Sequence, residues 1–234
     1  MESKFSIHYE DENFLIAEKP VGIPVHPTKD PKRDSLEKYV IEYCKCRNFD
    51  NAKTFLRTVN RLDLVTSGIV VFLKNPNLNR EADEWMKKSE KFYLAFVHGD
   101  FRNEILEHKN HLKEVRGKMQ SVRSGGDVAI TRFRKLEYSP ELNSSLLLIK
   151  LVTGRRHQIR HHSAELGFPI LGDTLYNPLT PTAFEKTLKE MDAILLHSAF
   201  LRLPISEKTI EVFSNPPEHF PKLEYSKTLN HLDF

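Results

Sequence analysis

Cysteine is scarce: the 234 residues hold two, Cys44 and Cys46, in a single C-x-C. Two are too few for a disulfide framework, and the spacing does not match a structural zinc site. They read as small residues on a helix in a reducing, cytoplasmic setting. Long apolar runs are missing as well, and nothing approaches the roughly 20 residues that a membrane-spanning helix needs. The opening MESKFSIHYEDE carries both charge signs and no apolar stretch, so no secretory signal is visible and no membrane role is expected. Nor is there a G-x-G-x-x-G, a P-loop, a G-x-S-x-G or an H-E-x-x-H. Any chemistry is therefore expected to run without a nucleotide, metal or redox cofactor. No internal repeat, low-complexity segment or clear linker breaks the chain, and one domain over residues 1–234 is the economical reading.

What is present is an ordinary globular balance, 29% charged and 39% hydrophobic. That length can bury a substantial core without cross-links. The net charge of +3 permits a polyanionic partner without demanding one.

Short apolar runs between polar breaks dominate, and most read as strands. FSIHY (5–9) and FLIAE (14–18) suggest a hairpin; KPVGIPVHP (19–27) reads as an irregular, turning segment. Residues 35–46 read as a helix, with Leu36, Tyr39, Val40 and Tyr43 on one face and Asp34 with Glu37 as a capping pair. IVVFL (69–73), FYLAFVHG (92–99), VAITRF (128–133), LLLIKLV (146–152) and ILLHSAFLRL (194–203) read as strands, and 79–90 as an exposed helix. Strands outnumber helices without regular alternation. The expected fold class is α+β: a mixed, largely antiparallel central sheet flanked by helices and loops. The polar tail after Pro216 is expected to be loosely held.

Four segments invite a functional reading. KNHLKEVRGKMQSVRSGG (109–126) is rich in Lys, Arg and Gly, and is either a solvated loop or a mobile basic arm that grips phosphates. VNRLDLVTSG (59–68) sets Asp63 between leucines, just before an apolar run, where it either caps a turn or sits charged in a cleft. In LVTGRRHQIRHHSAELG (151–167) a strand ends at Val152 and a helix is expected to begin near Arg155 or Arg156, stopping at Gly167. Cations at a helix start oppose the macrodipole, so an anionic partner would explain Arg155 and Arg156 better than helix stability does. Arg160 lies beside the Ile159 stripe and, if buried, needs an acid. His157 and His161 stand four apart but lack an evident third ligand, so the metal reading is set aside. In KFYLAFVHG (91–99), strand alternation makes Tyr93 either a core aromatic or a ring on which a nucleobase stacks.

Taken together, these segments resemble the RluA-type family of RNA pseudouridine synthases. Its H-R-L-D-x-x-T-S-G motif is matched by NRLDLVTSG (60–68), and its K-x-Y-x-A-x-V-x-G by KFYLAFVHG. Its T-G-R-x-H-Q-I-R-x-H and following G-x-P-I-x-G-D-x-x-Y are matched by TGRRHQIRHH (153–162) and GFPILGDTLY (167–176). KPVGIPVHP and LLHSAFL (195–201) resemble its opening and late segments. Two positions depart: Asn60 stands where His is usual, and Arg156 where Thr is common. The resemblance implies an isomerase that converts uridine in tRNA or rRNA to pseudouridine, without a cofactor or metal. It implies Asp63 as the catalytic carboxylate and Arg160 as its ionic partner. Tyr93 would stack on the target base, Arg61 would fill the space vacated by base flipping, and Arg155 and Arg156 would hold the backbone. A separate RNA-binding domain in front is not expected, and a cytoplasmic monomer is the default expectation. The rival readings are a silent RNA-binding or RNA-folding protein on the same fold, and a nucleoside-hydrolysing glycosidase.

Overall fold

The computed structural model describes residues 5–30, 32–47, 55–206 and 208–221. They gather into two compact units. The first is drawn from Met1–Ser89 and Ser198–Asn215, the second from Glu90–His197 and Pro216–Phe234.

The first unit is built on strands β1 (Ser6–Glu10), β2 (Phe14–Lys19), β3 (Arg57–Thr58), β4 (Ser67–Leu73), β10 (Leu196–Ile205) and β11 (Lys208–Phe213). Their order is β1-β2-β4-β10, with β11 on β10 and β3 on β4. The expected hairpin forms: Asp11 caps the turn by accepting the Asn13 and Phe14 N–H groups, and β1 pairs antiparallel with β2. Every residue of β4 is buried, which is why IVVFL reads as an unbroken apolar run. Helix α1 (Leu36–Cys46) buries Leu36, Val40 and Cys44. Its cap is Ser35, which accepts the Lys38 N–H. Asp34 instead holds Lys38 Nζ at 2.8 Å and the Tyr39 hydroxyl at 2.8 Å, so the sequence pair Asp34–Glu37 names the wrong capping residue by one position. Helix α2 (Asn79–Lys88) fully buries only Ala82 and Met86, with Trp85 partly buried against the same cluster, as a largely exposed helix should.

The second unit carries β5 (Glu90–His98), β6 (Ile105–Val115), β7 (Lys118–Ser121), β8 (Asp127–Ser139) and β9 (Ser144–Leu151), in the order β5-β9-β8-β6-β7, each neighbouring pair antiparallel. The basic stretch 109–126 is more regular than either sequence reading pictures. It forms most of a regular hairpin, with Val115 opposite Lys118 and a two-residue turn at Arg116 (φ 50°) and Gly117 (φ 80°). Two left-handed residues in succession make the turn whose twist suits paired strands. Only Leu112 and Met119, packed with Ala129, are buried along it, so the period-two pattern is nearly invisible among lysines and arginines.

Helix α3 (Gln158–Glu165) begins after Arg155 and Arg156, with His157 at φ 49° as its N-cap. It ends as expected at Gly167 (φ 86°): Gly167 N–H bonds Ala164 O and Phe168 N–H bonds Ser163 O. Helix α4 (Ala183–Glu190) and β11 were not anticipated, although Thr182 and Glu185 close a full capping box on α4. Glu185 also reaches back to the Gly172 N–H and to His98. Burial pushes its pKa up, but the Thr182 and Gly172 N–H groups and His98 outweigh that, and it lies below the ordinary glutamate value. Past Pro216, Phe220 is buried and lies edge-on to Phe96, so the chain stays anchored that far; residues 222–234 lie outside the described residues. No helix among the described residues is long and apolar enough to cross a membrane.

Two glycines should respond very differently to alanine. A Cβ on Gly68 (φ 113°) would lie 2.3 Å from Ser198 O, a backbone atom that cannot swing away. Gly68→Ala should lose more than about 4 kcal/mol or fail to fold. Gly117 has open space, so Gly117→Ala should lose only about 1–2 kcal/mol from the left-handed backbone. Urea unfolding of both variants measures this, and equal losses would contradict the close approach at Ser198.

Candidate active site

Asp63 sits at the turn between β3 and β4. Backbone pairing with β4 runs through Arg57, Thr58 and Val59, whose N–H bonds Val71 O. Asn60 continues the ladder with its side chain: Nδ2 donates to Ile69 O at 3.1 Å and Oδ1 accepts the Val71 N–H at 2.8 Å. An amide side chain offers the same donor and acceptor as a peptide, and this accounts for asparagine at the departed motif position. The chain then turns through Arg61, which is exposed, and Leu62, which is buried. Asp63 O accepts the Thr66 N–H at 3.1 Å, and the Asp63 side chain is half-buried.

Behind this turn lies a residue that sequence reasoning passed over. Lys19, the last residue of β2, is 0% exposed. Its Nζ lies 2.8 Å from Pro20 O, 2.8 Å from Ile23 O and 3.1 Å from Leu64 O. Burial pushes its pKa down to about 7, and the charge of Asp63 opposes that fall. Three carbonyls match the three donors of an ammonium; a neutral amine has only two N–H bonds. The cation therefore ties the 20–23 segment to the residue after Asp63. Gly22 N–H, bonding the same Leu64 O at 3.1 Å, reinforces the tie.

In the second unit the centre is Arg160, 6% exposed on α3. Nε donates to Asp173 Oδ2 at 2.7 Å and Nη2 to Asp173 Oδ1 at 2.8 Å, a bidentate clamp on a carboxylate that is itself 1% exposed. The acid that a buried Arg160 requires is thus supplied by Asp173 of the G-D-x-x-Y motif, a partner that sequence reasoning did not name. Asp173 Oδ1 also accepts the Leu175 and Tyr176 N–H groups, so one carboxylate shapes the turn and holds the guanidinium.

Arg155 and Arg156 precede the helix instead of starting it. Arg155 lies 3.8 Å from Asp127 and bonds Val128 O; Arg156 pairs with Glu114 of the hairpin. Tyr93 on β5 is 5% exposed, opposite Ile149 of β9. Of the two histidines four apart, His157 Nδ1 lies at the Tyr176 hydroxyl and His161 Nε2 at Ser121 Oγ. His162 is fully buried between Thr131 and Asn110, and burial, aided by His108 and His161, pushes its pKa down to about 3. It is a neutral structural link between α3 and the β6–β8 pair.

A family model for RNA pseudouridylate synthase matches residues 13–165. The chain is 32% identical over 224 residues to the Borreliella burgdorferi protein named ribosomal large subunit pseudouridine synthase D, covering 93% of this chain and 65% of that one. It is 31% identical over 195 residues to the Saccharomyces cerevisiae tRNA pseudouridine(31) synthase, covering 74% of this chain and 46% of that one. It therefore spans about half to two thirds of the length of these relatives. Among solved structures, human RNA pseudouridylate synthase domain containing 4 superimposes with a TM-score of 0.70 at 24% identity, covering 91% of this chain and 88% of that one. That likeness establishes the pseudouridine-synthase fold, a mixed α+β architecture with largely antiparallel strands. The chain belongs to the RNA pseudouridylate synthase family.

Asp173→Asn keeps an acceptor for the turn N–H groups but removes the charge and sets an N–H₂ against the guanidinium. The variant should lose about 3–5 kcal/mol in urea unfolding. A loss under about 1 kcal/mol would show that Asp173 does not balance the buried Arg160 charge.

Proposed function

We propose that the protein is an RNA pseudouridine synthase acting on uridine in tRNA or rRNA, with Asp63 as the catalytic carboxylate. The reaction breaks the N1–C1′ glycosidic bond, turns the uracil and joins C5 to C1′. The proton on C5 is lost, N1 gains one, and the mass of the RNA is unchanged. Nothing is oxidised and no energy source is consumed. Asp63 would act either as a nucleophile at C1′, as in retaining glycosidases, or as a base on the sugar. Both roles use a charged carboxylate.

The observation that best supports this reading is the arrangement at Asp63. Its turn is fixed by the Asn60 ladder and by the caged Lys19, and the buried Lys19 cation attracts the Asp63 charge. A carboxylate that only capped a turn would not call for a fully buried ammonium beside it. Arg160, held by Asp173, would contribute to substrate binding. Tyr93 would stack on the flipped base, Arg61 would occupy the vacated stack, and Arg155, Arg156 and the basic hairpin would engage phosphates. The enzyme would work as a cytoplasmic monomer, without cofactor.

Asp63→Asn preserves shape and removes charge. Tritium release from RNA labelled at uridine C5 should fall by at least about a thousandfold, while RNA affinity stays within about threefold of wild type. Turnover near normal in this variant would end the assignment. Release of free uracil would favour a nucleoside-hydrolysing glycosidase, and tight binding without tritium release a silent RNA-binding protein. Mapping pseudouridines in total RNA with and without the gene identifies the target. RNA affinity should also fall steeply between 50 and 200 mM salt, as roughly 10³ or more for six phosphate contacts; a flat response would contradict phosphate gripping.

A further inference from the structure

Tyr176 has no part in the function proposed above, yet it stands where three elements meet. Its ring carries the Arg160 guanidinium at 5.4 Å from the centroid. The rings of His157 and His161 lie edge-on to it at 5.8 and 5.7 Å. Its hydroxyl accepts the Met119 N–H of β7 at 2.8 Å, with His157 Nδ1 3.1 Å away. Its own N–H is held by Asp173, the carboxylate that clamps Arg160. One side chain thus touches the basic hairpin with its hydroxyl and the buried guanidinium with its face.

The neighbouring contacts point the same way. Lys118 Nζ donates to Leu175 O at 3.0 Å, Arg156 pairs with Glu114, and Ser121 Oγ meets His161 at 2.9 Å. On the other hairpin strand, His108 and Asn110 both bond Glu165, at 2.7 Å each. The hairpin is therefore fastened along its length to α3 and to the 173–177 turn, while Lys113 and Arg116 near its tip stay exposed. The route from β7 to Arg160 runs through the Tyr176 ring.

We propose that Tyr176 is a positioning residue that anchors both the basic hairpin and Arg160, its hydroxyl registering the hairpin and its ring fixing the guanidinium. The enzymatic side of this inference rests on the pseudouridine synthase reading. The structural side does not, and the two are tested separately.

Tyr176→Phe removes the hydroxyl and keeps the ring; Tyr176→Leu removes both. Thermal melts establish that each variant is folded. In ¹⁵N-labelled protein without RNA, exchange of the Met119 amide should quicken about tenfold in both variants, whereas exchange of the Arg160 Nε–H should quicken only in Tyr176→Leu. With uridine-labelled RNA, Tyr176→Phe should raise KM about fivefold, and Tyr176→Leu should lower kcat at least about tenfold below Tyr176→Phe. Equal Arg160 exchange in wild type and Tyr176→Leu, equal Met119 exchange in wild type and Tyr176→Phe, or equal kcat in the two variants, would overturn the dual anchoring. If wild type releases no tritium, the enzymatic reading fails, and the exchange data alone decide whether Tyr176 anchors both the hairpin and Arg160.

Discussion

A guanidinium almost wholly withdrawn from water must be neutralised and fully hydrogen-bonded, and much of the second unit follows from meeting that demand at Arg160. Asp173 supplies the charge through two parallel bonds. Asp173 can do so only because Gly172, at φ 84°, lets the chain turn after Leu171 and because the Leu175 and Tyr176 N–H groups fix the carboxylate. Glu185 of α4 holds Gly172 from behind. Helix, turn and second helix are thus arranged around one ion pair, whose planar fork a lysine would not reproduce.

A comparable constraint organises the first unit. Lys19 is buried without a bidentate acid, and its charge is met by carbonyls on both sides of the chain reversal. Caging a cation with backbone oxygens fixes backbone, so the loops that lead into and out of Asp63 acquire one geometry. Asn60 does similar work from the other side by standing in for a peptide group along β4. The carboxylate proposed to act in catalysis is therefore carried on a loop with little freedom, which is what an orientation-dependent reaction requires.

The basic hairpin is exposed yet held at many points along its length. Its outer positions are charged and open, while its inner contacts with α3 and the 173–177 turn are mostly polar. Polar docking of this kind stabilises register more than it adds to the core, since each exposed pair contributes little by itself.

Apolar runs such as IVVFL, FYLAFV and LLLIKL fixed where strands β4, β5 and β9 would lie, because burial on both faces leaves no alternative for such segments. Local chemistry also placed the end of α3 at Gly167 and the turn before β4. The ordered motifs were enough to mark Asp63, Tyr93, Arg160 and the two arginines before α3 for attention. Tertiary structure alone decided that 109–121 is a paired hairpin, since its strands bury almost nothing that periodicity can register. It alone showed that Arg160 answers to Asp173, thirteen residues on, and that Lys19 is a caged cation, not a surface charge. Sequence shows which groups are costly to bury; only the folded chain shows which distant carbonyl or carboxylate meets that cost, because partners are set by where the backbone passes and not by spacing along it.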